Sequence, residues 1–206
     1  MQKPKLSNPS KMPGSSWDLQ ALKTCPGRKY QTGKKRGQVK PVCSKCYAQR
    51  GHYTWRNSKN LRQDNREDWQ RDDWTPSMVA VLAFETDFRW FSSGDCYRPE
   101  LGEKIYQVMK ATPQVNHWLS TMSHELDSMR GILAKMARLP NVVVRKSSGS
   151  IVGETMRGKN TSTVIASDSQ APAGAHICPA KNTGGKCHTC RACWDKSVRV
   201  VAYPYH

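Results

Sequence analysis

The stretch from Cys25 to Tyr47 holds the residues whose types and spacing best suit chemistry. Cys25 is followed by seventeen residues, then by Cys43-Ser44-Lys45-Cys46, with Tyr47 and Ala48 directly behind. A Cys-x-x-Cys pair offers two thiolates from one tight turn to a metal centre. Cys25 can fold back as a third ligand, because Pro26, Gly27, Gly33, Gly37 and Pro41 make the chain between them an irregular loop. Three protein thiolates leave one coordination position free, as a reactive iron–sulfur cluster or a catalytic zinc requires. A structural zinc knuckle whose fourth ligand lies elsewhere is the other reading, and the spacing does not choose between them.

A second group lies near the end of the chain. Cys178 is followed after eight residues by Cys187, after two more by Cys190 and after two more by Cys193. Four thiols in so short a span, with Gly184 and Gly185 to allow tight turns, make a complete ligand set for zinc or for a [4Fe–4S] cluster. His176 and His188 are nearby but not needed, and both read as solvated. Cys96 has no spacing partner; it reads as a small buried apolar residue, with a fourth cluster ligand as the alternative.

The charge is strongly uneven. Of the net +17, residues 1–62 contribute fifteen Lys or Arg against Asp18 alone, 15 − 1 = +14, and the remaining eighteen basic and fifteen acidic residues contribute +3. A basic front third attracts phosphate, with nucleic acid or another anionic substrate as the partner. Stabilisation of thiolates, or plain solubility, accounts for the same charge. No apolar run approaches the ~20 residues of a membrane span, and Met1–Pro13 has no signal-peptide core. A cytoplasmic protein is therefore expected, with its cysteines reduced rather than paired in disulfides.

The elements that must position these thiols are readable from periodicity. The 206 residues are expected to form a single domain: an extended arm over 1–16, the cysteine loop over 17–60, an α/β core over 61–170 and the four-cysteine module over 171–206. Residues 61–84 read as helical, with Trp69, Met78, Val79, Leu82 and Ala83 inward and Pro76 starting a new helix or kinking the old one. Strand Phe88–Phe91, a helix opening at Pro99, strand His117–Leu119, a helix stopped by Pro140 and strand Asn141–Arg145 then alternate. Thr163–Ala166 and Val198–Tyr203 add weaker strands. That order implies parallel strands with right-handed crossovers, three to five strands in all. Ser92–Asp95, Thr121 and Ser147–Ser150 fall at carboxyl ends of strands, the edge where such sheets bind ligands.

Four motifs carry a resemblance. Met12-Pro13-Gly14-Ser15-Ser16-Trp17, Cys43-x-x-Cys46-Tyr47-Ala48-Gln49-Arg50, Arg89-Trp90-Phe91-x-Ser93-Gly94-Asp95 and Gly184-Gly185-Lys186-Cys187-x-x-Cys190-Arg191-Ala192-Cys193-Trp194 resemble the phage gene product 88 family. More distantly, Cys-x-x-Cys-Tyr-Ala after an earlier Cys is similar to the cluster loop of radical S-adenosylmethionine enzymes. That resemblance implies a reduced, partial (β/α) barrel-like sheet. It also implies an open-site [4Fe–4S] cluster on Cys25, Cys43 and Cys46, with S-adenosylmethionine on the fourth iron. Tyr47 would lie near the adenine, and Ser93, Gly94 and Asp95 would lie where that superfamily contacts the methionine amino group.

The expectation is thus an iron–sulfur phage protein with a radical-enzyme-like α/β fold, acting on an anionic substrate if it is an enzyme. Cys178, Cys187, Cys190 and Cys193 hold a second site of zinc or [4Fe–4S]. One alternative is a zinc-stabilised basic protein that binds nucleic acid. Another is a non-catalytic structural or redox-sensing [4Fe–4S] protein, with all seven thiols around one cluster.

Overall fold

The apolar runs of the middle of the chain assemble side by side into one sheet. The computed structural model describes residues 2–205; Met1 and His206, the outer ends of the expected arm and module, lie outside the described residues. Strands β1 (Ser16–Trp17), β2 (Asp87–Trp90), β3 (Asn116–Thr121), β4 (Val142–Ser147), β5 (Thr161–Ile165), β6 (His176–Ile177) and β7 (Val200–Pro204) pair in the order β1-β2-β3-β4-β5-β7-β6. Every pairing is parallel, and the sheet stays open, with β1 and β6 at its edges. The expected α/β class with a partial, barrel-like sheet is what the chain adopts. It has more strands than expected because β1 and β6 are two residues each, too short to show a period of two.

Five helices accompany the sheet among the described residues: α1 (Pro41–Ser44), α2 (Arg56–Asp68), α3 (Trp74–Leu82), α4 (Pro99–Ala111) and α5 (Asp127–Arg138). Pro99 starts α4 where its missing N–H is no loss, with Glu100 in the first turn favoured by the helix dipole. The expected helix over 61–84 is two helices, and the break falls before Pro76 rather than at it. Pro76 sits in the first turn of α3, where proline is tolerated, while Arg71 ties Asp68 to Asp73 across the gap. Ala83, expected inward, follows the last residue of α3 and is exposed.

Alternation along the strands separates two faces. Phe88, Trp90, Leu119, Val142 and Val144 pack with Met78, Leu82, Leu101, Ile105, Met129 and Leu133 of the helices in one core. Trp17 joins that core edge-on to Trp74 at 5.3 Å, Trp90 at 6.2 Å and Phe91 at 5.9 Å. Burying such a ring contributes about 2–3 kcal/mol, enough to hold a two-residue edge strand in place. The other face carries Arg89, Trp118, Ser120, Arg145 and Ser147. The carboxyl-terminal segment covers part of it, with Trp194 against Trp118 at 5.0 Å.

Candidate metal centre

The cysteine loop leaves the carboxyl end of β1 and returns through a hairpin. Lys29 and Val39 form an antiparallel bridge, and the Lys40 amide donates to the Arg28 carbonyl at 2.9 Å. The hairpin carries Cys43 back beside Cys25. Val42 N–H then donates to the Gly149 carbonyl at 3.1 Å, docking α1 on the end of β4. Lys40, 1% exposed, runs under this loop to Glu125 at 2.5 Å. Its methylenes lie so close to Gly149 that a Cβ there would stand 2.7 Å from Lys40 Cδ.

Cys25 and Cys43 lie within electrostatic reach of each other, of Cys46 and of Asp95, which follows β2. Cys43 Sγ is 3.8 Å from Met122 Sδ, and Gly27 packs so tightly on Met122 that a Cβ there would stand 2.5 Å from the Met122 Cβ. Burial pushes the Cys25 thiol up to about 12, reinforced by the Asp95 charge and by Cys43 and Cys46. Burial likewise raises Cys43 to about 11 and raises Cys46. Without a metal the thiols are therefore protonated near neutral pH, and loading a metal releases protons.

Ser93, Gly94 and Asp95 clip this site together. Gly94 has φ +77° and lies against Leu19 and Thr24, where a Cβ would come within 2.7 Å of both. The Ser93 hydroxyl donates to the Leu19 carbonyl at 2.7 Å. Asp95 accepts from Thr121 at 2.6 Å, the Cys96 amide at 2.8 Å and the Met122 amide at 2.9 Å, yet burial still lifts its carboxyl to about 6. Asp18, fully buried, takes the Ser92 amide and hydroxyl at 2.6 and 2.7 Å. Phe91 and Leu22, bulky residues at φ 64° and 68°, flank the same place. Left-handed backbone at such residues is strained and persists only where the surroundings over-determine it.

Tyr47 has a divided environment. Its hydroxyl donates to the Ser92 carbonyl at 2.5 Å and faces Arg89 Nη2 at 3.3 Å, so burial raises it to about 12. Its ring nevertheless leaves the residue 47% exposed. Arg89 stacks on Trp118 at 4.3 Å, and no ion pair is made to it among the described residues.

The four carboxyl-terminal thiols line one cleft with His176 and Trp194, and none of the first three thiols lines it. His176 is not merely solvated: its Nε2 is 3.4 Å from Cys190 Sγ. The Tyr203 hydroxyl is 3.2 Å from Cys193 Sγ, and burial raises that thiol to about 11. Arg145, fully buried, holds the module by donating to the carbonyls of Cys193, Val198, Ala192 and Asp195 at 3.0, 3.0, 2.5 and 2.8 Å. Cys96, fully buried against Gly102, fills core space as its sequence context suggested.

The family model described as gene product 88 matches residues 1–196. The chain belongs to the gene product 88 family. All four motifs read from the sequence lie within the matched residues. No curated protein and no solved structure matches the chain. In this gene product 88 member, no group of three or more His, Cys, Asp or Glu among the described residues is placed so as to hold a metal ion. No helix among those residues is long and apolar enough to cross a membrane.

The spacing of the cysteines pointed to both groups of thiols. Lys40, Met122, Glu125, Arg145 and His176 had no such signal, because each acts through a partner far away in the chain.

Proposed function

We propose that this protein is an iron–sulfur protein in which Cys25, Cys43 and Cys46 carry a [4Fe–4S] cluster with one iron left without a protein ligand. The observation that carries this reading is that Cys25, Cys43 and Cys46 lie near enough for their charges to act on one another, beside the Gly94 turn and the Lys40–Glu125 pair. A lone zinc requires every thiolate about 2.3 Å from one point, whereas cluster cysteines each bind a different iron and stand farther apart.

A cluster bound there supplies one-electron chemistry at its open iron, and S-adenosylmethionine is the ligand implied by the resemblance to radical enzymes. The layout of the parts supports that ligand: the cysteine loop follows the edge strand, and Ser93-Gly94-Asp95 follows the next strand in the sheet. Ser93 and Asp95 already spend their polar atoms inside the protein, so in this reading they hold the loop while Tyr47 presents its ring. Arg89, charged and without a carboxylate, suits an anionic substrate.

Cys178, Cys187, Cys190 and Cys193 hold a second centre, for which we take zinc, because four thiolates from one short stretch complete a closed tetrahedral set.

Anaerobic reconstitution with iron and sulfide, followed by electron paramagnetic resonance with and without S-adenosylmethionine, tests the reading. A cluster signal that changes on adding the ligand is the expected result. A cluster signal indifferent to the ligand removes the enzymatic version and leaves the cluster; absence of any cluster removes both.

A further inference from the structure

The stretch behind the cysteine loop, residues 45–59, carries neither a helix-turn-helix nor a β-sheet RNA-binding pattern. Its three-dimensional arrangement is more specific than its sequence. Trp55 is 68% exposed, His52 is exposed beside it with ring centres 6.4 Å apart, and His52 overlies Tyr53 at 4.5 Å. Tyr53 meets the half-exposed Tyr47 ring at 5.3 Å. These rings form a continuous aromatic run on the surface, outside the hydrophobic core.

The run is rigidly backed. Arg62, almost fully buried, lies 4.7 Å from the Tyr53 ring centre and donates to the Tyr53 carbonyl at 3.0 Å. The Tyr47 hydroxyl is fixed on Ser92. Rings already held in place lose little entropy when a flat partner stacks on them. The charge around them is of one sign: Lys45, Arg50, Arg56 and Lys59 are exposed, and no Asp or Glu occurs between Asp18 and Asp64.

Exposed rings beside cations that make no ion pair among the described residues are what a flexible polyanion of flat bases requires; Lys45 and Arg50 reach only Tyr205, 5.5 Å from its ring centre and 3.2 Å from its hydroxyl. We propose that His52 and Trp55, backed by Tyr53, form with Lys45, Arg50, Arg56 and Lys59 a binding surface for single-stranded nucleic acid. Bases stack on the rings and phosphates meet the cations. A membrane surface fits less well, because α2 behind this run has Leu61 as its single apolar residue and offers no apolar face to lipid. The inference is independent of which metal the cysteines hold.

The test is fluorescence anisotropy of the full-length protein with a labelled single strand of about 15 nucleotides. The same strand as a duplex and vesicles of anionic lipid serve as competitors. The single strand should bind better than the duplex, with affinity falling steeply as salt rises. Trp55→Ala should weaken it about 5- to 100-fold. An Arg50→Gln, Arg56→Gln double variant should flatten the log–log salt dependence by about 1.4. Phe84→Ala, which removes a ring 98% exposed elsewhere, should change nothing. No binding at low salt, equal binding of duplex, insensitivity to Trp55→Ala, or displacement by vesicles in preference to duplex each overturns the proposal.

Discussion

The backbone amide of Lys40 donates to the carbonyl of Arg28 at 2.9 Å, and this bond shortens the amino-terminal cysteine spacing in space. Cys25 lies three residues before Arg28 and Cys43 three after Lys40, so the seventeen-residue gap acts as a short one. Residues 29–39 hang from that bond as a hairpin, with the Tyr30 amide on the Gln38 carbonyl at 3.0 Å.

Replacing residues 31–37 by Asn-Gly should therefore leave the site intact. A two-residue turn of that kind joins paired strands without strain, and closing a shorter loop changes stability by well under ~1 kcal/mol. Iron content after reconstitution should match the parent protein. Its loss would mean that the hairpin itself helps to hold the metal.

Glu125→Gln removes the carboxylate that Lys40 reaches at 2.5 Å and strands an ammonium buried under the cysteine loop. Breaking a buried pair costs about 3–5 kcal/mol, and the partial exposure of Glu125 reduces this to about 2–3 kcal/mol. Urea denaturation should show that loss, with faster release of iron to a chelator. An unchanged midpoint would mean that the loop is held by its backbone bonds alone.

Arg145→Lys replaces a five-donor fork by three donors in a cage of four carbonyls. At least one buried carbonyl loses its partner, at about 1–3 kcal/mol each. The carboxyl-terminal module should then release zinc faster, while the signal of the amino-terminal site persists. Equal loss from both sites would argue for general unfolding instead.

His117 sets a pH dependence that can be read without metal. Its Nδ1 accepts the Trp90 indole N–H at 3.2 Å, so the neutral ring keeps its proton on Nε2, facing Thr112 at 2.9 Å. Burial lowers its value to about 3 from 6.5. The unfolded chain takes up a proton below 6.5 and the folded chain does not until about 3. Its contribution is thus fully present above 6.5 and lost as pH falls through that window, on the order of 5 kcal/mol in all. Urea midpoints taken from about pH 7 to about pH 4 should fall more steeply for the parent than for His117→Gln.

Helices α4 and α5 were legible because each buries one periodic face, as Leu101, Ile105, Val108 and Met109 do, and β4 because its run of valines, buried on both faces, lies between turn residues. β1 was not, since two residues carry no period; burial of Trp17 is what makes it a strand. The cysteines were legible as ligand sets because their spacing is local. The devices that aim them join distant positions: Lys40 meets Glu125 across 85 residues, and Arg145 meets Cys193 across 48. His176 was read as solvated because nothing near it in sequence reveals that edge strand β6 turns its ring toward Cys190.

The most direct measurement is iron and acid-labile sulfide per chain after anaerobic reconstitution, for the parent and for a Cys25→Ser, Cys43→Ser, Cys46→Ser variant. The parent should take up about four irons, and the variant should lose them while keeping one zinc on the other four thiols. A parent holding zinc at the front site, or a variant that retains all its iron, would contradict the assignment.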